Sequence, residues 1–274
     1  MAVGENIGSN EPRSYQEAIR SKEASDWMIA MHKEMQSLSK NDTWDLVPLP
    51  KGAKPVGCKW VYKKKEGIPG VESARFKARL VAKRFSQKEG IDYHEVFSPV
   101  VKHKTIRVLL SMVSAFDMEL EQLDVKTAFL HGNLEEKIYM SQPEGFLNSE
   151  KKDQVCLLKK SLYGLKQSPR QWYKRFDAFM ISHGYIHNQF DNCVYSQSLS
   201  DSSYIYLLIY VDDMLIAAKN MAEIDNLKEL LKSEFEMKDL GAAKKILGME
   251  IWRNRNVGLI CVSQQKYIEK VLQS

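Results

Sequence analysis

Tyr204-Ile205-Tyr206-Leu207-Leu208-Ile209-Tyr210-Val211-Asp212-Asp213-Met214-Leu215-Ile216-Ala217-Ala218 decides how this chain folds. Two apolar runs, each long enough for a strand, flank two adjacent aspartates. Asp is a common turn residue, so a plain hairpin turn is one reading. A tight two-residue turn prefers Gly, however, and Asp-Asp offers none. The flanking runs are apolar on both faces, which predicts a hairpin buried in a sheet rather than one at a solvated edge. Two carboxylates at the tip of a buried hairpin repel each other and lose hydration unless a cation neutralises them. A metal-binding pair is the expectation.

Two-metal phosphoryl transfer bridges ions about 3.5–4 Å apart, which calls for a third carboxylate. Leu120-Glu121-Gln122-Leu123-Asp124-Val125-Lys126-Thr127-Ala128-Phe129-Leu130 supplies Asp124, where a strand gives way to a turn. Small residues follow it, and their amides suit phosphate oxygens. Taken alone, Asp124 is an ordinary strand-end residue.

The surrounding chain has 274 residues, 44% hydrophobic and 27% charged, enough for one large or two modest domains with a proper core. Such a composition excludes a disordered tail protein, a collagen-like repeat and a coiled-coil rod. The longest apolar run, residues 204–211, is far shorter than the ~20 residues of a membrane helix. Met1-Ala2-Val3-Gly4-Glu5-Asn6 has neither the basic nor the apolar region of a secretory signal. Cys58, Cys156, Cys193 and Cys261 lie far apart with no Cys-x-x-Cys pair. Zinc-finger spacing is therefore absent, and a reducing intracellular setting fits.

The net charge of +5 hides a strong segregation. Residues 59–88 carry ten Lys/Arg and two Glu, a local +8, and residues 151–175 carry eight Lys/Arg and one Asp, a local +7. The remainder is left at −10. Two basic segments on an acidic background suit either a polyanion held in one place or simply solvated faces.

Residues 1–13, rich in Gly, Asn, Ser, Glu and Pro, read as a disordered tail. Ser14-Tyr15-Gln16-Glu17 is a capping box that opens a helix. Trp27, Met31, Met35 and Leu38 share one face of a second helix. Pro48, Pro50, Gly52 and Pro55 mark a loop, and Lys59-Trp60-Val61-Tyr62 reads as a strand. From Arg75 onward, Arg75, Lys77, Arg79 and Lys83 alternate with Phe76, Ala78, Leu80 and Ala82, broken only at Val81. Period two puts the basic residues on one face of a strand, where a phosphate backbone or a triphosphate can lie. Ile106, Leu109, Leu110, Val113 and Phe116 sketch a buried helix. Ser168-Pro169, an N-cap and a first-turn proline, opens another with Trp172, Phe176, Phe179 and Met180 inward. Ile224, Leu227, Leu231 and Phe235 mark a further helix. Residues 246–252 and 258–262 form a hairpin around a polar turn. Helices interleaved with strand pairs favour an α+β fold.

Leu123-Asp124-Val125-Lys126-Thr127-Ala128-Phe129-Leu130 and Tyr210-Val211-Asp212-Asp213-Met214 together resemble the two metal-binding motifs of reverse transcriptases, in the version of copia-type LTR retrotransposons. The resemblance extends through Cys58-Lys59-Trp60-Val61-Tyr62-Lys63, Lys77-Ala78-Arg79-Leu80-Val81-Ala82-Lys83 and Tyr93-His94-Glu95-Val96-Phe97-Ser98-Pro99-Val100. It continues in Leu162-Tyr163-Gly164-Leu165-Lys166-Gln167-Ser168-Pro169-Arg170-Gln171-Trp172 and Phe235-Glu236-Met237-Lys238-Asp239-Leu240-Gly241. Lys83-Arg84-Phe85 departs from the family's usual Lys-Gly-Phe.

The resemblance implies a right-hand polymerase of fingers and palm with a truncated thumb. Fingers would occupy residues 14–104 and 132–167. Palm would occupy residues 105–131 and 168–252, the latter including the start of a primer-grip hairpin. Residues 253–274 would complete that hairpin and begin the thumb. Asp124, Asp212 and Asp213 would be the catalytic set, holding two Mg²⁺ (or Mn²⁺) with the main-chain carbonyl of Val125. Phe129 matches the steric gate that excludes a ribose 2′-OH. Thr127, Ala128, Lys77 and Arg79 would contact the dNTP. Tyr163, Gly164, Ser168, Pro169, Tyr210 and Val211 would support template and primer, and Gly248 and Met249 the primer end. Lys238 falls in the region of a candidate general acid.

The implied partners are an RNA or DNA template with its primer and dNTPs, with no membrane and an open oligomeric state. The implied location is a cytoplasmic virus-like particle, the nucleus, or both. The reading from truncation is different: a catalytically silent nucleic-acid-binding remnant of a Pol polyprotein.

Overall fold

The computed structural model describes residues 11–65 and 74–272. The chain opens with helices α1 (Tyr15–Arg20) and α2 (Ala24–Lys40), followed by strands β1 (Trp44–Pro48), β2 (Cys58–Lys65) and β3 (Arg75–Ala82). Then come α3 (His103–Ala115), β4 (Glu119–Val125), β5 (Asn133–Met140), β6 (Gln154–Lys160) and α4 (Ser168–Ser182). Strands β7 (Ile186–Asn188), β8 (Asp191–Ser198), β9 (Tyr204–Tyr210) and β10 (Asp213–Ala218) lead into α5 (Met221–Glu234). The last elements are β11 (Met237–Ala242), β12 (Lys245–Ile246), β13 (Met249–Asn254), β14 (Leu259–Ser263) and α6 (Gln265–Leu272). All strand pairing within the sheets is antiparallel, and the α+β expectation holds.

The chain divides into two compact units. One comprises the chain up to Phe97 with Phe129–Trp172; the other comprises Ser98–Ala128 and the chain from Tyr173. The lead-in to α3 is anchored within the second unit: the Lys102 amide and the Thr105 hydroxyl donate to the buried Asp191 carboxylate at 2.9 and 2.7 Å.

In the first unit, β2 and β3 form a ribbon and β1-β6-β5 a three-stranded sheet. The alternation expected of β3 is present: Arg75, Lys77 and Arg79 are exposed while Ala78, Leu80 and Ala82 are buried. Helix α2 covers the apolar face, where Trp27 meets Tyr62 and Phe76 edge-on at 5.2 and 4.7 Å. Burying such aromatic area is worth roughly 1.5–3 kcal/mol per side chain. The capping box forms in part, since the Glu17 amide donates to Ser14 Oγ at 3.2 Å. The Glu17 carboxylate instead accepts from the Arg13 amide. Residues 1–10 of the expected tail lie outside the described residues, and Glu11 departs from that expectation. Its carboxylate takes the Lys64 amide at 2.9 Å and pairs with Lys63 at 3.1 Å.

The second unit is built on a six-stranded sheet, β11-β4-β10-β9-β8-β7, and a small β12-β13-β14 sheet. Leu207, Leu208, Met214, Leu215, Ile216 and Leu123 are fully enclosed, as the unbroken apolar runs require. Helix α5 packs Ile224, Leu227 and Leu231 inward. Two expectations need correction. Phe116 is not buried but 69% exposed, because it is the C-cap of α3, beyond the apolar stripe. Ser168 is not an N-cap: the Gln171 amide bonds the Gln167 carbonyl, which caps α4, while the Ser168 hydroxyl donates to the Leu162 carbonyl.

No helix among the described residues is long and apolar enough to cross a membrane. The four cysteines are unbridged. Burial pushes the thiols of Cys58, Cys156 and Cys193 up to about 11, 12 and 12, far from thiolate chemistry.

Candidate functional site

The β9–β10 hairpin closes on Val211 and Asp212, with Tyr210 paired to Asp213. A tight turn without glycine therefore forms, and Asp213 already belongs to β10. The cost falls on Val211, whose φ is +56°. A β-branched residue in the left-handed region is strained by about 1–3 kcal/mol. The ladders below it, Ile209 with Met214 and Leu208 with Leu215, hold the turn in place. So does the Asp212 carbonyl, which accepts from the Val125 amide at 2.8 Å.

Strand β4 carries Asp124 at its half-buried end. It lies between β10 and β11, with Asp124 in register opposite Asp213 on one side and Lys238 on the other. Three aspartates from two separate stretches of sequence thus share one end of the sheet, with Asp212 on the adjoining turn. Burial, then the negative charges of Asp212 and Asp124, push the Asp213 carboxyl up to about 6, and a hydrogen bond with the Gln122 side chain partly offsets this. Burial, followed by the negative charges of Asp212 and Asp213, also raises the Tyr210 phenol.

Among the described residues, no three or more His, Cys, Asp or Glu side chains form a ready-made metal cage. The donor chemistry nevertheless suits Mg²⁺, which takes one or two carboxylates and completes its shell with water and substrate phosphates. A carboxyl held up by two like charges is one whose environment a cation relieves.

The residue after Lys126 adopts a second strained conformation: Thr127 has φ +52°. It leads into the buried Ala128. Lys126 is tied by its amide and its ammonium to the carbonyl and carboxylate of Glu236, each at 2.8 Å. Lys238 is exposed on β11. Gly248, with φ +78°, turns β12 into β13, and Met249 behind it is buried.

In the first unit, Phe129 meets Tyr163 edge-to-face at 4.8 Å, and the Arg79 guanidinium lies over the Tyr163 ring at 5.1 Å. Lys77 shares the exposed face of β3. The glycine at 164 has a structural cause. Its φ is +92°, and an added Cβ would stand 2.2 Å from the Ala82 carbonyl oxygen. The backbone that comes close at this position is that of β3. Pro169 lies in the first turn of α4, beside the buried Ser168.

Two features escaped the sequence reading. Lys228, only 4% exposed, bonds Glu121 at 2.8 Å and Asp239 at 3.0 Å beneath β4 and β11. The signal was a lysine on the Ile224–Leu231 face of an amphipathic helix. Gln122, buried two residues before Asp124 and so on the same face of β4, was the other.

Residues 41–274 match the family described as reverse transcriptase (RNA-dependent DNA polymerase). The chain belongs to that family. It is 55% identical over 264 residues, 96% of its length, to the Retrovirus-related Pol polyprotein from transposon TNT 1-94 of Nicotiana tabacum. It is 38% identical, again over 96% of its length, to that from transposon RE1 of Arabidopsis thaliana. It is 27% identical to the Transposon Ty1-DR4 Gag-Pol polyprotein of Saccharomyces cerevisiae. The chain covers 20%, 18% and 16% of those relatives. The expected kinship with copia-type retrotransposon Pol polyproteins is met.

Proposed function

We propose that this chain is an RNA- and DNA-directed DNA polymerase, joining dNTPs to a primer 3′-OH as part of retrotransposon replication inside the cell. The observation that carries the reading is the register of Asp124 with Asp213, next to Asp212 on a strained turn. Asp124, Asp212 and Asp213, with the Val125 carbonyl, would hold two Mg²⁺ or Mn²⁺ ions. Such ions, when bound, acidify the primer hydroxyl and offset the charge of the departing pyrophosphate.

In this reading the first compact unit is the fingers and the second the palm. Phe129 lies under the sugar and excludes a 2′-OH. The Arg79 fork and the Lys77 ammonium, on the exposed face of β3, bind the triphosphate or the template. Thr127 and Ala128 offer main-chain amides to phosphate oxygens. Tyr163, Gly164, Ser168 and Pro169 support the templating base, Tyr210 and Val211 the primer terminus, and the Gly248–Met249 turn the primer backbone. Lys238 delivers a proton to pyrophosphate.

The test is primer extension by the 274-residue chain on RNA and on DNA templates, beside Asp212→Asn. Extension dependent on Mg²⁺ and dNTPs and lost in the variant is expected. Salt-dependent binding of primer–template with no incorporation would instead make the chain a silent nucleic-acid-binding remnant.

A further inference from the structure

We infer that Tyr163 is a positioning residue that sets sugar selectivity through Phe129, with Arg79 holding the Tyr163 ring. The inference rests on the polymerase reading and on Phe129 as its gate. It gives Tyr163 a second role beside its support of the templating base.

The three side chains form one stack inside the first unit. The edge-to-face contact of Phe129 with Tyr163, at 4.8 Å and 65°, is a favoured aromatic geometry. The Arg79 guanidinium, 5.1 Å above the same Tyr163 ring, adds a cation–π contact. Both rings are half-buried, so each keeps surface for a ligand.

Their backbones are held as well. The Tyr163 carbonyl accepts from the Ala82 amide at 2.7 Å, and the next residue, Gly164, lies directly on Ala82. On the other side, the Phe129 carbonyl accepts from the Gly132 amide at 3.0 Å. The Gly132 carbonyl in turn takes the Ser161 amide at 2.8 Å, two residues before Tyr163. Gly132 has no room for a side chain, since a Cβ would meet the Gln171 backbone at 2.9 Å. The turn carrying Phe129 and the segment carrying Tyr163 are thus fixed to each other.

A gate works only while its ring cannot swing aside. Rotation of Phe129 about χ1 or χ2 away from Tyr163 would open room beside the sugar, and the Tyr163 ring opposes that motion. The ligand feature sensed is the 2′ position of the incoming nucleotide. The phenol oxygen has no part in this, so a phenyl ring serves equally.

The experiment measures kcat/KM for a dNTP and for the matching rNTP on one primer–template, in wild type, Phe129→Ala, Tyr163→Phe, Tyr163→Ala and the double Phe129→Ala/Tyr163→Ala chain. Tyr163→Phe should retain the wild-type ratio. Tyr163→Ala should lower it at least about tenfold, mainly through a lower KM for the rNTP, and the double chain should match Phe129→Ala alone. Tyr163→Leu, which keeps bulk without a ring, replaces Tyr163→Ala if the latter unfolds. Equal losses for both nucleotides, or additive effects in the double chain, would overturn the inference and return Tyr163 to the template. An unchanged ratio in Phe129→Ala, or no incorporation by wild type, would overturn the gate or the polymerase reading itself, and this inference with it.

Discussion

Asp213 stands directly across the β4–β10 ladder from Asp124, two carboxylates of like charge held in register by the strands that bear them. Nothing in folding favours that arrangement: burial and its two acidic neighbours raise the Asp213 carboxyl to about 6. Asp213→Asn removes the charge while keeping the shape. In the presence of a chelator the variant should be more stable than wild type by about 1 kcal/mol after screening, or about 2–4 °C in Tm. Its primer extension should be lost. A variant that melts lower than wild type would mean that the carboxylate is a structural asset.

The buried ammonium of Lys228 makes the opposite prediction. It bonds Glu121, 9% exposed, and Asp239 at the base of the sheet end that carries the aspartates. Lys228→Met leaves Glu121 charged and unpaired, which should cost about 3–5 kcal/mol. The double substitution Lys228→Met/Glu121→Met should recover at least half of that, since apolar packing replaces the pair and Asp239 can hydrate. Urea unfolding midpoints at constant m-value check both.

The Asp212-Asp213 hairpin and the basic alternation of β3 were readable in the sequence, because unbroken apolar runs and period two report burial directly. Asp124 was found through its motif; its pairing with Asp213 is long-range and leaves no local periodicity. The β1-β6-β5 sheet was missed for a related reason. β1 and β6 pair across more than a hundred residues, as in Trp44 with Leu158, and β5 is a mixed polar strand. The strain at Val211 was unreadable because only the closed ladders on either side impose it. The glycine at 164 was noticed, but its cause, the Ala82 carbonyl, belongs to tertiary packing.

Two glycines with similar backbones should therefore respond differently to alanine. Gly164 has φ +92° and the Ala82 carbonyl in the space of a Cβ, whereas Gly248 has φ +78° and no neighbour within 4 Å of that position. Gly248→Ala should cost only the left-handed penalty, about 1 kcal/mol. Gly164→Ala must also push the chain off β3, and a loss of about 3 kcal/mol or more is expected. Thermal melts of the two variants side by side measure the difference. Equal losses would show that the Ala82 contact yields without cost.

Glu34 provides the pH test. It sits on α2 facing β3, accepts the Leu80 amide at 3.3 Å, and has its carboxyl raised mainly by burial, with the Leu80 bond and the Arg79 charge pulling it partly back. A folded-state pKa above the unfolded one means that the folded chain binds the proton more tightly. Its favourable contribution is full below the usual glutamate range and disappears as pH rises through the raised value. Glu34→Gln keeps an acceptor for the Leu80 amide but carries no charge to desolvate. The variant should exceed wild type by about 0.5–1 kcal/mol at pH 8, and the gap should close as pH falls toward 4.5. Melting temperatures of both chains across that range measure it. A variant weaker than wild type at pH 8 would mean that the attraction of Arg79 outweighs burial at Glu34.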